Sequence, residues 1–131
     1  MELLDKYKKE LDEDIKINVV NIRDLQMSLP GIKHKWATRL INHKIEINKI
    51  NSLVIKAKNV IIENQTKNPN VTLSKPSLEQ YAEKHETIIR LKTKIEDEKF
   101  IVMYLEKVER ILNSVTYDIK NLVDILKLEQ L

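Results

Sequence analysis

Apolar and polar positions divide the chain into a short preface and two long periodic stretches. From about Ile32 to Asn64, the residues Trp36, Leu40, His43, Ile47, Ile50, Val54, Ala57 and Ile61 are spaced alternately by four and three. On a helix this spacing keeps one stripe facing one partner. The alternation returns, cleaner, in Ile101, Leu105, Val108, Leu112, Val115, Ile119, Leu122 and Leu126, with no polar residue in the seam. It predicts a helix from near Leu78 to about Leu128, with Asn113-Ser114 as its weakest point. Between the two stretches, residues 64–77 (NQTKNPNVTLSKPS) carry three Asn and two Pro and read as a loop. That loop ends in Ser77-Leu78-Glu79-Gln80, which has the form of a capping box.

The preface is less regular. Leu3, Leu4, Tyr7 and Leu11 predict a short helix from Glu2 to Lys16, and the β-branched run from Ile15 to Val20 predicts a connector. A second short helix is expected over Asn21 to Ser28. It should stop before Leu29-Pro30-Gly31, because proline restricts the residue ahead of it and Gly31 frees the backbone. The expected fold is all-α: a long helical hairpin with short N-terminal helices, assembling through helices into an oligomer. As a single helical domain over 1–131 it comprises short helices (1–31), a basic long helix (32–64), a loop (65–77) and a C-terminal assembly region (78–131).

Composition narrows the class further. One Gly and three Pro in 131 residues cannot supply the turns of a sandwich or barrel, nor the glycines of a phosphate-binding loop. The absence of Cys removes disulfides, thiolate zinc sites and cysteine nucleophiles. No uncharged run approaches the roughly 18 residues of a membrane span, and the opening MELLDKYKKELDED has no signal-peptide core. A soluble, intracellular protein with no membrane partner is expected. Two helices packed together cover one stripe each, which leaves Ile41, Ile45, Ile55, Ile62, Val102, Ile111, Val123 and Ile125 beside the stripes. Faces that wide point to burial against further subunits; the alternative is a compact monomer that uses them internally.

Charge locates the candidate chemistry. The net charge is +3, yet residues 32–62 carry Lys33, Lys35, Arg39, Lys44, Lys49, Lys56 and Lys58 against Glu46 alone, a local +6. Such a segment attracts a polyanion, or else forms a solvated lysine face. At about 100° per residue, Lys33, Lys44 and Lys58 lie along one flank of the stripe, and Lys35, Lys49 and Lys56 point outward. A symmetric assembly would join such rows into a track for a flexible strand. Trp36 lies in the stripe, so it reads as core rather than as a platform for bases. His34, His43 and His85 lack the spacing that sets two imidazoles on one helix face. Asp12-Glu13-Asp14 and Glu96-Asp97-Glu98 are consecutive and so diverge around a helix. No catalytic residue, metal or cofactor is expected, and the protein does not read as an enzyme.

The order of features resembles the UvsY family, the recombination mediator proteins of large tailed bacteriophages. The resemblance runs through the acidic first helix and Asp14-Ile15-Lys16-Ile17, then Leu29-Pro30 and Lys35-Trp36. It continues through the basic-x-basic element Lys56-Ala57-Lys58, the stretch Ile88-Ile89-Arg90-Leu91-Lys92-Thr93-Lys94-Ile95, and Asp118-Ile119-Lys120-Asn121. The family's aromatic pair after the basic element is here Val60-Ile61-Ile62. The resemblance implies binding of single-stranded DNA and assembly into a ring-like homo-oligomer, a hexamer or heptamer. It also implies loading of a RecA-like phage recombinase onto strands covered by single-strand DNA-binding protein, in the cytoplasm of the infected bacterial host. On this reading Lys33, Lys35, Arg39, Lys44, Lys49, Lys56 and Lys58 contact phosphates, and the seam from Ile101 to Leu126 drives assembly. A coiled-coil adaptor that binds a partner helix is the second reading. A duplex-DNA regulator is the third, although one long basic helix is not a helix-turn-helix pair.

Overall fold

The computed structural model describes residues 2–68 and 73–130. Among them are four helices and no strand: α1 (Glu2–Asp14), α2 (Ile22–Thr66), α3 (Lys75–Glu83) and α4 (Glu86–Glu129). The class is the expected one, all-α with two long helices. Helix α1 turns Leu4, Tyr7 and Leu11 to one side, and Leu11 is buried. The connector to α2 is tied by two asparagines. Asn18 Oδ1 accepts from the backbone N–H of Val20 and of Asn21, each at 2.9 Å, and Asn21 Oδ1 accepts from the Asn18 N–H at 2.7 Å.

Three expected boundaries are corrected. Helix α2 does not stop before Pro30; it runs through it as one 45-residue helix. Proline's fixed φ is helical, and what it loses is one N–H, the donor for the carbonyl of Gln26. That loss, of about 3 kcal/mol in a helix interior, is offset by burial on both sides of it: Leu25 and Leu29 before, Trp36 and Leu40 after. The loop is also shorter than 65–77. Residues 65 and 66 still belong to α2 and 75–77 to α3; 67, 68, 73 and 74 are non-helical, and 69–72 lie outside the described residues. The cap of α3 is Ser74 rather than Ser77, its hydroxyl accepting from the Ser77 N–H at 3.4 Å, with Pro76 in the first turn where no N–H is needed. Finally, the helix expected from near Leu78 is broken at Lys84-His85, while α4 runs on through Asn113-Ser114. His85 Nδ1 accepts from the Thr87 N–H at 3.2 Å and so caps the start of α4.

The chain forms two compact units, and α2 and α4 each contribute to both. The first takes the chain up to Asn42 and from Ile101 onward; the second is His43–Phe100. In each, α2 and α4 run antiparallel: Lys33 lies opposite Thr116 in the first, and His43 opposite Glu98 in the second. The second core holds Ile50, Val54, Ile88 and Ile95, with Ile47, Ala57, Ile61 and Leu91 against it. The first holds Leu11, Leu25, Leu29, Trp36 and Leu40 together with Ile101, Leu105, Val108, Leu112, Val115 and Ile119.

That last set bears on the expected assembly seam. Six of its eight residues are buried in the chain's own first core. Leu122 and Leu126 are half-buried. The physical reason is the unbroken α2, whose N-terminal turns bring Leu25 and Leu29 onto the seam. Of the apolar residues beside the stripes, Ile41, Ile45, Ile55, Ile111 and Ile125 remain exposed, while Val102 and Val123 pack against the first core.

Candidate nucleic-acid interface

The seven cations of the basic segment have three different surroundings. Lys35 and Arg39 face α1. Lys35 Nζ donates to Asp14 Oδ2 at 2.6 Å and to Glu10 Oε1 at 3.1 Å. Arg39 forks onto the two carboxylate oxygens of Glu10, one bond being 3.1 Å long. Its guanidinium lies 4.9 Å from the Tyr7 ring centre and 4.8 Å from that of Trp36, and the two rings meet edge to face at 5.5 Å. Trp36 Nε1–H donates to Asp14 Oδ2 at 2.9 Å, so the indole is core with its polar edge satisfied. The bond from Arg39, followed by that from Lys35, holds the Glu10 carboxyl below its ordinary range, and Glu10 in turn raises Arg39. Asp14 closes α1 at the end where the helix dipole disfavours an anion, and Lys35 with Trp36 compensates. Both cations are therefore engaged as supports of the N-terminal helix.

The flank residues are engaged as well. Lys33 Nζ donates to Thr116 Oγ1 at 2.6 Å. Lys58, half-buried, donates to Glu83 at the end of α3, and Lys92 of α4 donates to the other oxygen of the same carboxylate. Between them, Lys58 first and then Lys92 lower the Glu83 carboxyl to about 2. Lys44 is exposed. Lys49 and Lys56 are exposed, seven residues apart on one face of α2, and make no ion pair among the described residues. Of the expected set they are the cations most available to a strand.

Among the described residues no three His, Asp or Glu side chains gather to hold a metal ion. His43 Nδ1 lies 2.5 Å from Glu98 Oε2, so this part-buried histidine has a partner, and His34 is exposed. No helix among the described residues is long and apolar enough to cross a membrane. Glu83 and Lys92 were not legible as part of this surface, since nothing in the sequence places them beside Lys58 without the break at Lys84-His85.

In comparison with known proteins, no family model and no curated protein matches the chain. Its shape does have counterparts. A crystal structure of the bacteriophage T4 recombination mediator protein UvsY (lattice type IV) aligns with a TM-score of 0.80 at 13% identity, covering 96% of this chain and 98% of that one. The chain has a UvsY-type fold. Two further UvsY crystal forms, lattice types II and I, agree at TM-scores of 0.78 and 0.76, again at 13% identity and over 93–96% of this chain. Asp14, Lys35 and Trp36, which carried part of the resemblance to UvsY in sequence, meet in one hydrogen-bonded cluster here.

Proposed function

We propose that this protein is a non-enzymatic recombination mediator that binds single-stranded DNA and promotes loading of a RecA-like recombinase onto strands covered by single-strand DNA-binding protein. Its setting is phage recombination, repair and replication in the cytoplasm of the infected host. The observation that carries this reading is the end-to-end agreement of its fold with a recombination mediator. Lys49 and Lys56, outward on α2, are the proposed phosphate contacts, with Lys44 beside them; a helix face of this kind touches the backbone and reads no bases. Lys35 and Arg39, half-buried between α2 and α1 as ties to Glu10 and Asp14, are left out of the contact set. Homo-oligomerisation, ring-like as the family resemblance implies, is proposed through side chains that stay exposed on the last turns of α4, among them Tyr117, Ile125 and Leu128. These same side chains also favour the adaptor reading, in which the partner is a protein helix and DNA is not bound.

A fluorescence anisotropy titration with single-stranded and duplex oligonucleotides at two salt concentrations separates the readings. The mediator binds the single strand, and more weakly as salt rises; an adaptor binds neither. Replacing Lys49 and Lys56 together by Ala should weaken binding to all sequences alike and reduce the log-log salt slope by about 1.4, two contacts at about 0.7 each. An unchanged slope and affinity in that variant would place the strand on another face.

A further inference from the structure

Glu83, the last residue of α3, holds two ammonium groups at once. Lys58 Nζ arrives from α2 on Oε1 and Lys92 Nζ from α4 on Oε2. The cluster is open to solvent, with the Glu83 and Lys92 side chains 42% and 47% exposed. Two cations gathered this closely repel each other unless an anion lies between them. The hydrogen bonds from Lys58 and then Lys92 lower the carboxyl to about 2. A carboxylate bridging two lysines offers the same charge and the same pair of acceptor oxygens as a backbone phosphate.

We propose that Lys58 and Lys92 form a phosphate-binding pair for the single strand, and that Glu83 is an internal competitor which a strand phosphate displaces. The inference rests on the DNA-binding reading above. It adds a lysine from α4 that lies outside the basic helix, and a carboxylate whose removal acts in the opposite direction to the removal of a cation. Binding here exchanges one anion for another, so each lysine of this pair releases fewer counterions than a free lysine would.

The test is the affinity for a dye-labelled oligothymidylate in Glu83→Gln, which keeps the shape and removes the charge. Binding should tighten by about threefold to tenfold, the worth of two exposed ion pairs of ordinary strength, and the salt slope should steepen. Lys92→Ala should weaken binding by about twofold to fivefold. Circular dichroism checks that each variant stays helical; should Glu83→Gln lose its helix content, the Lys92→Ala result decides. If Glu83→Gln binds no tighter, or Lys92→Ala binds as well as the parent, while the Lys49 and Lys56 double variant is impaired, this inference falls and the DNA-binding reading stands. A parent protein that binds no single strand ends both.

Discussion

At the scale of single residues, charge is mostly spent inside the chain. Glu10 and Asp14 together balance Arg39 and Lys35, and Glu83 alone pairs with Lys58 and Lys92, which leaves that cluster one positive charge. The Glu10 and Glu83 carboxyls lie below their ordinary 4.5. A lowered folded-state value means that the stabilisation is present above about 4.5 and is lost as the pH falls toward the folded values, about 2 for Glu83. The melting temperature should therefore hold steady from pH 7 to 5 and fall between about 4.5 and 2, as followed by circular dichroism at constant ionic strength. Equal melting at both ends of that lower window would mean these pairs add nothing to stability. The sequence made the cations legible but not their availability. Lys35 and Lys49 share the outward side of α2, and only the position of α1 against the helix separates a supporting lysine from a free one.

At the scale of elements, the periodic pattern proved stronger than the residue that should have broken it. Leu25, Leu29, Ile32 and Trp36 continue the four-three-four spacing straight through Pro30, and the helix follows the spacing. That signal is readable in the sequence, and it outweighs the proline. Gly31 adopts no left-handed conformation, and a Cβ added there would meet nothing within 4 Å. Gly31→Ala should accordingly stabilise the protein by about 0.5–1 kcal/mol, read as a raised denaturation midpoint. Pro30→Ala, which restores the N–H opposite Gln26, should add up to about 3 kcal/mol. A lower midpoint in Gly31→Ala would mean that α2 is not continuous at this point. The break between α3 and α4 lay beyond the reach of pattern, because no Gly or Pro marks Lys84-His85 and the capping group is an imidazole.

At the scale of the whole molecule, the cleanest apolar seam is covered within the chain along most of its length, six of its eight residues lying in the first core. Leu112 is nearly inaccessible and packs in the first core. Leu112→Asp would bury an unpaired charge at a cost of several kcal/mol, so it should abolish helix content outright instead of only lowering the assembled mass. Tyr117→Asp with Leu128→Asp, both at exposed positions, should leave the helix content intact and reduce the mass measured by sedimentation. A folded Leu112→Asp monomer would restore the seam to the interface. Pattern alone could not make this distinction, since a stripe wants covering whether its partner belongs to the same chain or to another.

The second unit, His43–Phe100, lies in sequence between the two pieces of the first. Connectivity thus imposes an order of events on folding. Bringing together the two pieces of the first core across an unfolded stretch of roughly 60 residues costs an entropy of closure of about 3–4 kcal/mol. The second unit joins α2 to α4 through a shorter separation, such as Val54 to Ile88, and its closure costs somewhat less, by about 0.5 kcal/mol. Once it has formed, it tethers the flanking pieces and removes most of that closure entropy. The outer core, with its buried indole and long seam, is then the later event, and its assembly depends on the modest inner core having closed first.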